Sequence, residues 1–239
     1  PKLGKEINYD CFQPLVKISK ELGVKHFIYA SSSSVYGIKD SDNVNEESTL
    51  EPITDYSKFK MDCEKILLDQ VNSNFISTII RPATVCGYSK RQRLDLVVNI
   101  LTNLGYHTGE IKVFGGKQLR PNIHIHDMCR SYIEVIETEI NKIENQIFNV
   151  GFENHSVEKL AQMVRDNLKN EVNIRYVETN DERSYHISSE KIQKQIGFKP
   201  EKNINDAIKD LIKAFDRKEF SKTLENEDYF NIKRMQSIN

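Results

Sequence analysis

The sequence predicts an α/β fold built on a parallel sheet, and three observations carry that expectation. First, Phe12, Leu15, Val16, Ile18 and Leu22 recur at helical spacing, Gly23 stops the run, and VKHFIYA follows as a short apolar strand. Second, the order repeats: Tyr56 to Gln70 reads as a helix with Phe59, Cys63, Ile66 and Leu67 inward. The Asn72-Ser73-Asn74 turn then leads into FISTIIRPA, a second buried strand. Third, helices and strands go on alternating to the end of the chain, the signature of a parallel sheet with helices on its faces.

The remaining elements follow in order. The polar stretch from Lys39 to Thr54 is a loop. LDLVVNILTNL is helical, IKVFGG is a strand ending in glycines, and HIHDMCRSYIEVIET opens a helix whose Asp127 suits the positive N-terminal end of the helix dipole. NQIFNVG is a strand, and SVEKLAQMVRDNL is an amphipathic helix with Ser156 as its N-cap. NIRYVET is a strand, KIQKQIGFKP is a helix closed by Gly197 and Pro200, and INDAIKDLIKAF is the last strong helix. From Lys218 onward the chain is polar and charged, and no element is assigned.

Bulk properties exclude several classes. With 34 basic and 35 acidic residues the chain has no global field to attract nucleic acid or an anionic membrane surface. Its 38% hydrophobic content suits a folded domain, and its apolar runs fall far short of a membrane span. Cys11, Cys63, Cys86 and Cys129 are scattered without a C-x-x-C pair, so no metal site is expected and reduced thiols in a cytoplasmic protein are the better reading.

Two short stretches carry chemistry. SSSSVYG, Ser31 to Gly37, follows the VKHFIYA strand, and ligands of open α/β sheets bind outside the carboxyl ends of the strands. DYSKFK opens the next helix with Tyr56 and Lys60 four residues apart, on one face. A phenol with an ordinary pKa of about 10 is a poor base at neutral pH, but a neighbouring ammonium favours the phenolate. A Ser/Tyr/Lys trio therefore suits removal of a proton from an alcohol while hydride leaves the same carbon. On the residues alone, a serine-rich turn and an unremarked helix remain the more economical reading.

FIYASSSSVYG, DYSKFKMDCEKIL, IIRPATVCG, LRPNIHIHD, IFNVG and IGFKP, in that order, resemble the extended short-chain dehydrogenase/reductase family, specifically its NAD-dependent nucleotide-sugar epimerases and dehydratases. The resemblance covers nearly the whole chain. It implies a Rossmann-like, doubly wound parallel sheet with a smaller C-terminal α/β substrate-binding part. It implies Tyr56, Lys60 and Ser32 as catalytic residues, with Tyr56 the base and Lys60 both lowering its pKa and binding the nicotinamide ribose. Arg81, Pro82 and Ala83 resemble the segment that passes the nicotinamide, where Thr84 replaces an Asn often seen in the family. Ser33, Ser34 and Thr84 are then substrate-facing, and Arg120 grips the nucleotide-sugar diphosphate, with Arg183 as a second arginine. His124 and Asp127 are implied as structural. A homodimer through a four-helix contact that includes the Tyr56 helix is also implied.

One departure concerns the cofactor. The family opens with a strand and a G-x-x-G-x-x-G turn, which this sequence lacks, and its helix near Phe12 matches the one just before the catalytic-serine strand. The expectation is a fold without its first β-α-β units, an unpaired sheet edge and weak NAD binding. The expected organisation is residues 1–88 as the remaining Rossmann part and 89–217 as a substrate-binding part interleaved with a late Rossmann strand (Ile147–Gly151). Residues 218–239 form a polar tail.

A second departure concerns the reaction. Dehydratases carry Asp and Glu where Ser33 and Ser34 stand, so dehydration is disfavoured and 4-epimerisation of a nucleotide sugar is expected, in the manner of UDP-glucose 4-epimerase. A ketoreductase or dehydratase of the same family is the alternative, and an inactive fragment or binding protein is the alternative of another class.

Overall fold

The computed structural model describes residues 2–39, 41, 43–179, 184 and 186–238 of the 239. In chain order its elements begin with α1 (Lys2–Lys5), α2 (Phe12–Glu21), β1 (His26–Ala30), α3 (Asp55–Leu68), β2 (Ile76–Pro82) and β3 (Thr84–Cys86). There follow α4 (Val97–Thr108), β4 (Glu110–Phe114), β5 (Leu119–His124), α5 (Ile125–Glu137), α6 (Ile140–Ile143), β6 (Gln146–Val150) and β7 (Glu153–Ser156). The chain closes with α7 (Val157–Asn167), β8 (Asn173–Val177), α8 (Glu190–Ile196), α9 (Ile204–Asp216) and α10 (Asn231–Ile238).

Two compact units share these elements. The first comprises residues 1–83, 130–151 and 187–199, and the second comprises 84–129, 152–186 and 200–239. The first boundary falls at Ala83 because β3, although contiguous with β2, pairs with β5 in the second unit.

The first unit is built on a parallel sheet of order β1-β2-β6, with Ile28 opposite Thr78 and Ile80 opposite Phe148. Every residue of β2 from Ile76 to Arg81 is buried, as a central strand covered on both faces requires. Phe12 and Val16 of α2 and Cys63 and Leu67 of α3 pack with Tyr29, Phe75 and Ile79 into one apolar cluster on this sheet. The segment before α2, which the sequence leaves unassigned, forms α1 and a π turn, and Tyr9 there stacks on Phe59 at 5.6 Å. Among the described residues, β1 lies at the edge of the sheet and pairs with β2 only.

After β1 the serine stretch winds into a 3-10 turn, Ser33–Tyr36, ended by Gly37 at φ +74°. A Cβ at Gly37 would come within 2.1 Å of the Glu51 carbonyl oxygen. The neighbouring Glu51 N–H donates to the Val35 carbonyl at 3.1 Å, so the loop cannot back away without losing that bond. Gly37→Ala is therefore expected to cost about 2 kcal/mol or more, from backbone strain and displaced loop together. Thermal unfolding followed by circular dichroism should show a midpoint about 5 °C or more below wild type.

The second unit holds two smaller sheets. β3 and β5 run parallel, β7 joins β5 antiparallel, and β4 and β8 form a parallel pair. The antiparallel β5–β7 pair departs from the expected parallel pairing. Helices α4, α7 and α9 bury Val98, Leu101, Leu160, Val164, Ala207 and Ile208 in a common core with Ile111 and Val113 of β4. Asp127, at the start of α5, is fully buried and accepts the Glu201 and Lys202 N–H groups at 3.0 and 2.8 Å, a structural use. His124 accepts the His126 N–H through Nδ1 at 3.0 Å.

The polar tail from residue 218 is ordered within this unit. Phe220, Tyr229 and Phe230 pack against Leu94, Leu211 and Phe215, and the Leu94 N–H donates to the Tyr229 carbonyl at 2.9 Å. Three aromatics spread over eleven positions make no periodic pattern, which is why the sequence showed only their polar surroundings. Among the described residues, no helix is long and apolar enough to cross a membrane.

Candidate active site

The start of α3 fixes the expected base. Thr54 accepts the Ser57 N–H and the Ser57 hydroxyl accepts the Thr54 N–H, at 3.2 and 3.1 Å, a reciprocal cap that pins the first turn. Tyr56, in that turn, is 47% exposed, so its ring is open to a ligand. One turn along, Lys60 is half-buried and its Nζ donates to the Ala30 carbonyl, the last residue of β1, at 2.8 Å. The same ammonium lies 4.9 Å from the Tyr29 ring centre and 5.7 Å from that of Tyr56. Burial pulls the Lys60 pKa below the usual lysine range, opposed by Cys63 and Glu64.

Ser32 stands two residues beyond Ala30. It is extended at φ −161°, caps the 3-10 turn by accepting the Ser34 N–H, and holds its Oγ 2.8 Å from that of Ser34. The bond from Lys60 to Ala30 thus anchors the helix turn that follows Tyr56 at the carboxyl end of β1, two residues before Ser32. Ser34 is half-buried beside Ser32, while Ser33 turns inward and is only 2% exposed. The 3-10 turn places Ser33, Val35 and Tyr36 on its inner side, so an apo Ser33 hydroxyl is not presented to solvent.

The Arg81 side chain is engaged within the first unit. Its guanidinium is buried and grips Glu64 of α3 bidentately, Nε to Oε1 at 3.0 Å and Nη2 to Oε2 at 2.6 Å. Its Nη1 donates to the Tyr36 hydroxyl at 2.8 Å, which donates onward to Asn149 Oδ1 of β6 at 2.8 Å. The Arg81 side chain is therefore committed inside the unit. Ala83 is buried and its N–H donates to the Val150 carbonyl at 2.8 Å. Burial pushes the Tyr36 phenol up to about 12 against the pull of Arg81, which rules it out as a neutral-pH base.

Glu64 is the residue that sequence reading missed. It is 2% exposed and also accepts the Ser31 hydroxyl. A signal existed: Tyr56, Lys60 and Glu64 recur every four residues and so share one helical face, on which a third polar position is unexpected unless it is paired.

Two of the expected substrate contacts, Thr84 and Arg120, lie in the second unit. Thr84 opens β3 opposite Asn122 of β5. Arg120, on β5, is half-buried with its Nη1 donating to the Leu119 carbonyl at 3.0 Å. Arg183 lies outside the described residues. His126, Asp127 and Glu201 hold potential metal-binding atoms within 4.8 Å of one another, but both Asp127 oxygens already serve backbone amides.

Comparison with known proteins bears on the family and the fold. A curated relative at 30% identity over 161 residues is an uncharacterized UDP-glucose epimerase of Bacillus subtilis, aligned over 66% of this chain and 50% of its own length. The chain thus spans about half the length of that relative. Among solved structures, the UDP-glucuronic acid 4-epimerase of Bacillus cereus, in complex with UDP-glucuronic acid and NAD, superposes with TM-score 0.79 at 23% identity. That match covers 88% of this chain and 67% of the other. The dTDP-glucose 4,6-dehydratase of Streptomyces venezuelae, solved with NAD and TYD bound, gives 0.81 at 20%, over 92% and 69%. At these identities the likeness establishes the fold. The model of the NAD dependent epimerase/dehydratase family matches residues 2–151, well over half of the sequence, and the chain belongs to that family.

Proposed function

We propose that the full-length protein is an NAD-dependent nucleotide-sugar 4-epimerase. The observation that carries this reading is the bond from Lys60 to the Ala30 carbonyl, which sets the Tyr56 helix against the strand end that bears Ser32. Tyr56, exposed in the first turn of α3, takes the proton from the sugar hydroxyl. The Lys60 ammonium favours its phenolate, and Ser32 holds the reacting oxygen. NAD, when bound, would supply a reversible hydride acceptor for the sugar carbon.

The residues at hand suit the nicotinamide and its ribose, through Tyr56, Lys60, Pro82 and Ala83. They do not include a G-x-x-G-x-x-G cradle for the pyrophosphate, which this sequence lacks. The fit to the cofactor is therefore partial. Arg120 and Arg183 are assigned to the substrate diphosphate, as planar donors suited to bidentate phosphate contact. Ser34 and Thr84 are assigned to the sugar, together with Ser33 in a rearranged liganded form. Ser33 and Ser34 support epimerisation over dehydration, because hydroxyls cannot perform at neutral pH the acid/base work that elimination of water needs. A cytoplasmic homodimer that includes α3 in its contact belongs to the same reading.

The test is to incubate the full-length protein with NAD and UDP-glucose and follow both sugar and cofactor. Appearance of the C4 epimer with no net NADH is the expected result. NADH accumulating in proportion to an oxidised sugar would make the protein a net oxidoreductase, and a 4-keto-6-deoxy sugar would make it a dehydratase.

A further inference from the structure

We propose that Glu64, held by Arg81 and Ser31, is the positioning residue of this active site; the proposal rests on the assignment of Tyr56, Lys60 and Ser32 above. Each member of the buried trio adjoins a different part of the machinery. Ser31 directly precedes Ser32, Glu64 lies one helical turn beyond Lys60, and Arg81 directly precedes Pro82 and Ala83. Glu64 accepts three hydrogen bonds from the other two members: Oε1 takes the Ser31 hydroxyl and Arg81 Nε, and Oε2 takes Arg81 Nη2. One carboxylate thus locks the carboxyl ends of β1 and β2 to the helix that carries the base.

The physical reason to give this network a geometric role is what it does not do. A buried ion pair contributes little net stability compared with apolar side chains of similar volume, because desolvation offsets its attraction. The helix already has apolar anchorage, through Cys63 and Leu67 against Tyr29 and Ile79. Apolar contacts tolerate sliding and repacking, whereas a bidentate guanidinium–carboxylate pair fixes both distance and angle. A site that works through Tyr56 and Lys60 needs that definition, since a displacement of about 1 Å is enough to degrade catalysis. Arg81 extends the lock through Tyr36 to Asn149, tying in β6 as well.

The decisive variant is Ser31→Ala/Glu64→Leu/Arg81→Met. It removes one negative and one positive charge together and leaves no buried polar partner stranded on Glu64, so a change at Tyr56 reports geometry and not a changed local charge. The readout uses this chain without cofactor or substrate. Tyrosine is labelled with ¹³C at Cζ, the Tyr56 resonance is identified by its loss in Tyr56→Phe, and its ionisation is followed against pH, with thermal unfolding as the check on folding. Groups facing the phenol among the described residues include Lys60 from its own helix and Tyr29 from β1, with Cys63 and Glu64 beside Lys60.

The expected result is a wild-type Tyr56 that ionises below the ordinary phenol value of about 10, and a folded triple variant in which its ionisation constant falls about tenfold. An unchanged midpoint in the folded variant overturns the proposal alone. Failure of the triple variant to fold also overturns it, because the network would then act through stability. A wild-type midpoint at the ordinary value shows that Lys60 does not act on Tyr56, and takes the catalytic reading down with the proposal.

Discussion

A Tyr56→Phe variant of the full-length protein is expected to lose about 10³-fold or more in turnover number while its KM for the nucleotide sugar stays within about twofold of wild type. The substitution removes one oxygen and little else. The cap that holds the first turn of α3 is made by Thr54 and Ser57, and the ring itself remains to pack beside Lys60. Lost proton transfer therefore falls on kcat, and the binding groups keep their places. Steady-state kinetics on wild type and variant, with sugar epimers separated by chromatography, measure both constants. Normal turnover by the variant would remove Tyr56 from the mechanism.

Glu64→Gln alone is expected to lower stability by about 3–5 kcal/mol, the range for breaking a buried ion pair by deleting one partner. The amide keeps the shape of the side chain, but its NH₂ must face donors of Arg81, and the guanidinium is left charged with only 2% of Arg81 exposed. A midpoint of thermal unfolding about 10 °C below wild type follows from the usual scaling for a chain of this size. Removing the positive charge as well, in Glu64→Leu/Arg81→Met, is expected to recover most of the loss. A single variant that melts within a degree or two of wild type would mean that the pair is solvated in solution.

Much of the architecture was legible because it is written in periodicity. α2 and its stop at Gly23, α3, β2, α7 with Ser156 as cap, α8 closed by Gly197 at φ +81° and α9 all stand where spacing and capping residues placed them. The hidden elements lack any such pattern. β5 reads LRPNIH, with an arginine, a proline and an asparagine inside a strand, and β3 and β7 are three and four residues long. Tertiary pairing, and not local preference, makes them strands.

The site divides along the same line. The closeness of Tyr56 to Lys60 is a property of one helix and could be read from spacing, whereas Ser32 is singled out among four serines only by the family resemblance. The burial of Arg81 could not, because it depends on a carboxylate 17 residues away in another element. An arginine on a strand end looks the same in sequence whether it reaches for a ligand or for its own fold.

Neither unit is contiguous in sequence, and this shapes how the protein is made. The first unit's sheet is incomplete until β6 arrives, and its last segment, residues 187–199, emerges more than a hundred residues after Ala83. The second unit waits for the final turns of the chain, where Tyr229 meets Leu94. At ordinary rates of translation the early helices and β1 remain without their full set of partners for on the order of ten seconds. During that interval the nascent chain displays an apolar strand and a half-built sheet, so chaperone occupancy on the ribosome should be highest between synthesis of β2 and of α8.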